Sequence, residues 1–508
     1  MKKSAHNFFF LRTNLGKLLT LSILIYPLSL INQIILSWRY GVSTNFDTYW
    51  ICYFFILLIT VPLCAIKESF SLDIHQKKES SSIKKSKYFS SLFNALLFAS
   101  ILIISTLITT KLYISTTLAP NNSEAQTLFI RLIPILSFAI ILLQINESLT
   151  ATLTLYGESV YIQLGKILGV IGSIISVIVL GAELGILAIA WGILIAALCA
   201  SILNLVALHK KGICYRPFSL PKLPSYLFTA SLPFVFYLFL TQGVAFFLRF
   251  ALQSLSPNAV SGYQYAFSIY SIPENIITFS LHGALWSYWG SSASKENKRG
   301  IFIDSITIIS FILGFATLTF TLFNIPIVKI LFMRGNFEKT ALIVSTAFLK
   351  LLAWTLIPQA LSLIFGRYII INHSLRIAGF GLTLQAITAG VSIYTGMITK
   401  NVSIIILHNA FGGMTSLLFF MFYLSKKESI ISSTTSKWVI LCLFIFSTNL
   451  FLPSIDFIYD STLIQTVLLF SALIAFFYIY YKTIRYCKLF TSKQINTLQF
   501  LLLGRQQE

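Results

Sequence analysis

Charged residues are scarce in this sequence. Only 10% of its 508 residues are Asp, Glu, Lys or Arg, whereas a soluble domain carries about 25%. Hydrophobic residues make up 56% of the chain, and its mean hydropathy is +0.83. The scarcity of charge excludes an ordinary soluble protein and predicts a polytopic membrane protein of the all-α class.

Acidic residues and cysteine are also few. Asp and Glu number 16 against 37 Lys and Arg, which gives a net charge of +21. In a membrane protein the location of basic residues matters more than their sum, so this excess does not indicate a nucleic-acid partner. The six cysteines show no CxxC spacing and fall mostly in apolar runs. We therefore expect neither a disulfide framework nor a metal site.

Features of catalysis are missing as well. The sequence contains no GxxxxGK[ST] phosphate loop, no HExxH and no GxSxG. No gap between apolar stretches exceeds about 25 residues, which is too short for a soluble domain. We therefore expect a protein that is not an enzyme, that needs no cofactor, and that binds its ligand without breaking bonds.

The apolar stretches predict the topology. About 14 of them reach the roughly 20 residues that a spanning helix needs, among them continuous spans over 301–332 and 341–371 and a thirteenth over 436–453. Most of the 37 lysines and arginines lie at the N-terminus, in every second gap and in the C-terminal tail. Because cytoplasmic loops are enriched in basic residues, this alternation supports the count and places both termini in the cytoplasm.

The sequence also repeats internally, with three residue pairs offset by about 210 positions: Gln33 with Gln242, Arg39 with Arg249, and Pro62 with Pro273. Six spans separate the two copies, so both start from the cytoplasmic side and form a parallel repeat. We therefore predict two six-helix lobes and two appended helices, with these boundaries: N-terminal lobe 1–209, C-terminal lobe 222–424, appended helices 436–482, and cytoplasmic tail 483–508.

One apolar stretch, 258–290, carries polar residues in its interior. Pro273 predicts a kink, and Glu274, Thr278 and His282 follow at helical spacing on one face. A carboxylate in lipid costs several kcal/mol, so this face should look into protein or a water-filled cavity. The plainer alternatives are a structural kink between packed helices, and a hydrogen-bonded helix contact for His282.

Several motifs resemble a known family. IVKILFMRGNF (327–337), RYGVSTNFDTYW (39–50), NAVSGYQYAFSIYSIP (258–273) and PQALSLIFGRYIIINHSLR (358–376) stand in the order and spacing of MurJ/MviN-type lipid II flippases. That family lies within the multidrug/oligosaccharidyl-lipid/polysaccharide (MOP) exporter superfamily. The resemblance covers most of the chain and agrees with 14 helices and cytoplasmic termini.

The resemblance implies a flippase in a bacterial inner membrane. Its substrate would be an undecaprenyl-diphosphate-linked saccharide, either lipid II or a surface-polysaccharide repeat unit, moved outward by alternating access. Its surroundings would be the lipid bilayer and proteins of cell-envelope biosynthesis. Two other functions stay open: export of small molecules or drugs, as in the related efflux branch, and a scaffold that transports nothing.

The sequence departs from the family at its cations. Arginines that the family places on helices 1 and 8 align with Tyr26, Asn32 and Ser268. Leu248 stands where an acidic residue is common beside the equivalent of Arg249, which puts cation coupling of the family type in doubt. We expect the diphosphate and sugar to contact a cavity formed by these residues: Arg249, Glu274, His282, Asn32, Gln33, Tyr265 and Ser268. Arg249 has an alternative role, in which it extends to the outer membrane interface.

A second group of polar residues has plainer explanations. We expect Glu147 and Lys166 to form a buried pair. Asp47 begins the second span, where a carboxylate caps a helix and favours its dipole. Lys350, inside a predicted span, and Arg39, at the outer end of the first span, complete the group as cations that could face the substrate.

Overall fold

The computed structural model describes residues 25–61, 63, 82–120, 122–155, 159–215, 225–275, 295–427, 454 and 462–486. Every regular element within these ranges is a helix. Contacts divide the chain into two compact units, Met1–Ser261 and Gly262–Glu508. The predicted lobe boundary at 209–222 lies earlier in the chain and stays a prediction.

The helices of the first unit are α1 at 25–40, α2 Thr44–Ile59, α3 Ser82–Leu118, α4 Ser123–Leu155, α5 Ser159–Leu184, α6 Leu187–Lys210, α7 Ser225–Leu255 and the first turn of α8 Ala259–Asn275. The second unit holds the rest of α8, then α9 Lys295–Leu322, α10 Asn324–Phe332, α11 Lys339–Ala353, α12 Leu356–Asn372, α13 Leu375–Ile398, α14 Val402–Ile406, α15 His408–Lys427 and α16 Thr462–Tyr486.

Small residues bring α5 and α6 close together in the first unit. A Cβ atom added at Gly165 would lie 3.5 Å from the Cβ of Ala200, and one added at Gly169 would lie 3.5 Å from that of Ala196. Apolar surface gives helices no reason to associate inside lipid, so such close backbone packing supplies the attraction. The α6 helix also holds α4 through Asn204, whose Nδ2 donates to Asn146 Oδ1 at 2.8 Å.

Two prolines break helices of the second unit that the sequence predicted as continuous spans over 301–332 and 341–371. A proline ring clashes with the carbonyl group four residues earlier and cannot donate to it. For Pro326 that residue is Leu322, where α9 ends, and for Pro358 it is Trp354, directly after α11. The break between α11 and α12 bends the chain by 42°.

Aromatic residues attach α16 to α9. The rings of Tyr480 and Phe311 lie 5.1 Å apart, those of Phe477 and Phe315 lie 5.0 Å apart, and the Tyr480 hydroxyl donates to the Phe311 carbonyl oxygen at 3.2 Å. Buried tyrosines are favoured where the hydroxyl finds such a partner. The last predicted helix is therefore part of the second unit's packing.

The described residues contain seven helices long and apolar enough to cross a membrane, or eight if α11 and α12 are counted as one bent span. Large apolar side chains such as Phe98, Ile178 and Val391 are more than half exposed. Exposed apolar surface of this extent is typical of contact with lipid. The all-α polytopic class is confirmed. The count of 14 stays a prediction, since the thirteenth span, 436–453, lies outside the described residues.

Candidate functional site

Arg249 is buried inside the first unit. Its side chain is only 3% exposed, although α7 is a membrane helix. The guanidinium carbon lies 3.3 Å from the centroid of the Phe54 ring, and Nη1 donates to the Ala245 carbonyl oxygen at 2.7 Å. An arginine that extended to the outer interface would be exposed. The structure therefore favours the interior position for this cation.

Phe54 belongs to an aromatic wall on α2, formed by Trp50, Tyr53 and Phe54. The ring centroids lie 5.7 Å apart for Trp50 and Tyr53, 5.3 Å for Tyr53 and Phe54, and 6.1 Å for Trp50 and Phe54. Residues three and four positions apart share a helix face, so the segment WICYF places these rings together. The sequence pattern does not predict this wall, because aromatic residues in an apolar run are usually core residues.

Within the described part of the chain, α1 and α2 carry three buried polar side-chain atoms that make no hydrogen bond: Asn32 Oδ1, Gln33 Oε1 and Trp50 Nε1. The α1 and α2 helices are joined by a three-residue turn, and the rings of Tyr40 and Phe46 stack across it at 6.3 Å.

Asp47 was predicted to cap α2, the helix on which it lies, but its side chain contacts the start of α8. The N-cap of α2 is Ser43, whose side chain accepts from the Phe46 N–H at 3.3 Å. Asp47 lies in the first turn and is 1% exposed; its Oδ1 accepts from the Ser261 N–H at 2.7 Å and from the Ser261 hydroxyl. Ser261 is the third residue of α8. The carboxylate thus satisfies a backbone donor at the start of α8, where a negative charge also favours the helix dipole.

This contact predicts a stability effect. Asp47→Leu leaves the buried N–H of Ser261 without its acceptor, whereas the Ser261 hydroxyl can still donate to the Ser43 carbonyl oxygen. The loss costs about 1–3 kcal/mol, and the thermal midpoint of the purified protein should fall. Asp47→Asn retains an acceptor and should cost less. Thr44→Val is the control, because its hydroxyl makes only an exposed 3.5 Å contact with Asn258. If Asp47→Leu melted at the wild-type temperature, the contact with Ser261 would contribute nothing.

Most of the chain matches a model of a known protein family. The model for the lipid II flippase MurJ matches residues 39–478 of this sequence. The chain belongs to the MurJ family. The comparison with curated proteins found no match to this sequence.

Solved structures show the same fold. The structure of the lipid II flippase MurJ in an inward closed conformation superposes with a TM-score of 0.72 at 16% identity, and the match covers 92% of this chain and 98% of that one. An inward-facing multidrug resistance MATE transporter of the MOP superfamily gives 0.63 at 16%, covering 80% and 95%. A MOP superfamily transporter from Pyrococcus furiosus gives 0.60 at 14%, covering 83% and 96%.

Two of the three neutral residues that the MurJ resemblance aligns with arginines, Asn32 and Ser268, have different surroundings. Asn32 Oδ1 is buried and makes no hydrogen bond among the described residues. Ser268 donates to the Tyr265 carbonyl oxygen at 2.7 Å within α8. Tyr265 itself is fully buried in the second unit, where its ring lies 5.2 Å from that of Phe332 and 5.4 Å from that of Phe337. Tyr265 is thus a core residue in this structure.

The other candidates of the second unit are less enclosed. Glu274 and Lys350 are both half-buried, at the end of α8 and in the last turn of α11. His282 lies outside the described residues, so the predicted face of Glu274, Thr278 and His282 stays a prediction.

The predicted buried pair of Glu147 and Lys166 is wrong, since both side chains are exposed. On α4 it is the preceding residue, Asn146, that faces inward and meets Asn204. Consecutive residues on a helix point about 100° apart, which turns Glu147 away from that contact. Arg39 is half-buried next to Tyr40, whose hydroxyl donates to the Gly185 carbonyl oxygen at 2.8 Å. Arg39 therefore lies at the junction of α1 with the turn between α5 and α6.

Proposed function

We propose that this protein moves lipid II from the inner to the outer leaflet of a bacterial inner membrane by alternating access. The match to the MurJ family over residues 39–478 carries this proposal. The MurJ-like helical fold supports it. Lipid II belongs to the broader class of polyprenyl-diphosphate-linked saccharides that the sequence predicted, so no separate polysaccharide substrate is needed.

The chemistry of the substrate fits a buried cation. A diphosphate carries negative charge, which cannot enter lipid without compensation. Arg249 supplies a positive charge within the first unit, oriented by Phe54 and by the Ala245 carbonyl oxygen. An arginine binds phosphate oxygens through short, charge-assisted hydrogen bonds, often two at once. We infer that Arg249 contacts the diphosphate, and that the protein acts by binding and release, with no covalent step.

We also propose that both termini lie in the cytoplasm. Basic residues concentrate at the N-terminus, in alternate gaps and in the C-terminal tail, which supports cytoplasmic termini. Lipid II then enters from the cytoplasmic leaflet, where proteins that build the saccharide would be the neighbours of this flippase.

Complementation tests the proposed function. The wild-type protein, expressed in a bacterium depleted of its own lipid II flippase, should restore growth and normal cell-wall synthesis, while an empty vector should not. A drug exporter would restore neither, and its deletion in the native host would raise drug sensitivity without a wall defect. A scaffold would give neither rescue nor drug sensitivity. Absence of rescue by a well-expressed protein would contradict the proposal.

A further inference from the structure

We propose that Lys166 binds the diphosphate of the lipid substrate when the substrate enters from the cytoplasmic side. This inference rests on the proposed function and adds an entry contact to the contact assigned to Arg249. The observation behind it lies on α5. Lys166 is exposed, although it belongs to a face of the helix that packs inside the protein further along.

The lipid-facing side of α5 is one stripe of exposed apolar side chains, formed by Leu164, Leu168, Ile171, Ile175 and Ile178. Consecutive residues of a helix point about 100° apart. Lys166 lies two positions from both Leu164 and Leu168, so it points to the opposite side of the helix. Its ammonium group therefore faces protein or water and avoids the acyl chains, where a charge is costly.

The face that carries Lys166 is closed in the outer half of α5 and open in the inner half. Ser173 and Val177 follow Lys166 by seven and eleven positions, which places them on the same face, and both are buried. Lys166 itself is exposed. It lies about 10 Å from the start of α5 at Ser159, which is the cytoplasmic end in the proposed topology. Water thus reaches Lys166 from the cytoplasmic side.

The preceding helix, α4, shows the same change along its length. Phe129, Ile133, Leu136 and Ile140 share one face and are fully buried. Glu147 continues this face seven positions after Ile140 and is exposed. It lies about 12 Å from the end of α4. The accessible inner parts of these two faces, which carry Lys166 and Glu147, are called the vestibule below.

The chemistry of the vestibule selects the ligand of Lys166. An ammonium group donates up to three hydrogen bonds and binds phosphate as a point charge. Glu147 repels the same anion, so the contact belongs to Lys166 and not to the vestibule as a whole. A phosphate group can come from the substrate diphosphate or from a phospholipid headgroup. The substrate is favoured, because Lys166 points away from the lipid-facing stripe of α5.

Lys166 and Arg249 lie in opposite halves of the membrane. Arg249 is about 9 Å from the outer end of α7 at Leu255, whereas Lys166 is near the inner end of α5. The hydrocarbon core between the two membrane surfaces is about 30 Å thick. The two cations therefore serve successive contacts of the diphosphate, first at Lys166 on entry and then at Arg249 further along the path.

Thiol labelling from the cytoplasmic side tests the position of Lys166. The full-length protein, with its native cysteines replaced and its transport retained, receives Lys166→Cys, Leu164→Cys or Leu168→Cys. Inverted membrane vesicles present the cytoplasmic face to a charged, membrane-impermeant methanethiosulfonate. Lys166→Cys should react at least about tenfold faster than the other two, because charged reagents do not enter the acyl chains. Equal rates at the three positions would overturn the inference.

Protection by a ligand identifies the source of the phosphate. In nanodiscs of phosphatidylcholine, farnesyl diphosphate should slow the labelling of Lys166→Cys. Replacing part of the phosphatidylcholine by phosphatidylglycerol should leave the labelling rate unchanged. Protection by phosphatidylglycerol in the absence of farnesyl diphosphate would place a phospholipid headgroup at Lys166 and would overturn the assignment to the substrate.

The affinity for farnesyl diphosphate tests the charge itself. Lys166→Gln should weaken binding by at least about tenfold, the effect of one charged hydrogen bond, and Lys166→Arg should retain most of the affinity. Lys111→Gln is the matched control, because it removes the same charge from the outer half of α3. Aminoethyl methanethiosulfonate gives Lys166→Cys a cationic side chain and should restore binding, whereas the neutral methyl reagent should not. A merely structural role would not respond to the returned charge.

The outcomes separate this inference from the proposed function. If Lys166→Gln binds farnesyl diphosphate like the wild type, Lys166 makes no contact with the diphosphate and the inference fails. The flippase proposal then still stands on complementation. If the wild type does not bind farnesyl diphosphate and does not complement a flippase-depleted strain, both proposals fail together.

Discussion

Replacing Arg249 by alanine is expected to stop lipid II transport while the protein still reaches the membrane at near-normal levels. The substitution removes the positive charge and the planar fork that we assign to the diphosphate. A charged hydrogen bond contributes about 1.5–3 kcal/mol, so loss of two such bonds would lower transport by a factor of 100 or more, as an order of magnitude. Arg249→Lys keeps the charge but loses the fork, and transport should fall only partly.

The measurement is the amount of lipid II on the cytoplasmic leaflet, with protein level determined on the same samples. Arg334→Ala is the matched control. Like Arg249, Arg334 donates to the carbonyl oxygen four residues earlier: its Nη2 lies 3.1 Å from the Ile330 oxygen. The Arg334 side chain is exposed, however. That variant should transport like the wild type. Wild-type transport by a well-expressed Arg249→Ala protein would remove Arg249 from the site and leave recognition to neutral groups.

Replacing Gly413 by alanine is expected to destabilise the second unit and lower the thermal midpoint of the protein. A Cβ atom there would lie 2.9 Å from the backbone nitrogen of Gln359 and 2.9 Å from the backbone carbon of Pro358. Backbone cannot rotate away as a side chain can, so α15 would have to move from α12. Overpacking of this kind costs about 1–3 kcal/mol, occasionally more.

The same movement would disturb a buried polar cluster one turn further along. Ser362 Oγ donates to Gln385 Oε1 at 2.9 Å, Ser416 Oγ lies 3.2 Å from the same oxygen, and the two serine hydroxyls are in contact. These bonds join α12, α13 and α15, and their loss adds to the cost of the substitution.

The thermal midpoint of the purified protein checks this prediction. Gly379→Ala is the control, because a Cβ atom there meets nothing within 4 Å. It should leave the midpoint unchanged or raise it slightly, since alanine favours a helix. Equal midpoints for Gly413→Ala and Gly379→Ala would show that α12 and α15 are not in close contact.

The sequence predicts the fold class well, because hydropathy reports directly on the solvent around a helix. The helix breaks could also have been derived from it. Pro326 lies four residues after Leu322, the last residue of α9, and Pro358 lies four residues after Trp354, which directly follows α11. This is the spacing at which a proline ring clashes with a carbonyl group of a helix. Both were overlooked, because a hydropathy window averages across a break that leaves composition unchanged.

The site was harder to predict, since hydropathy gives the depth of a residue but not the direction in which it faces. Arg249 had two equally reasonable positions until its stacking on Phe54 was known. Tyr265 belonged to an aromatic segment that suited a sugar, yet its ring packs in the core. Asp47 contacts Ser261, which is 214 positions away, and no local pattern reports such a contact.

The most direct test of the account is the appearance of lipid II in the outer leaflet of cells whose only flippase is this protein. A membrane-impermeant hydrolase added from outside cleaves only the lipid II that has crossed. With the protein present, we expect newly made lipid II to become sensitive to the hydrolase. After depletion of the protein, lipid II should accumulate in a resistant pool. If it became sensitive at the same rate with and without the protein, the chain would not be the flippase.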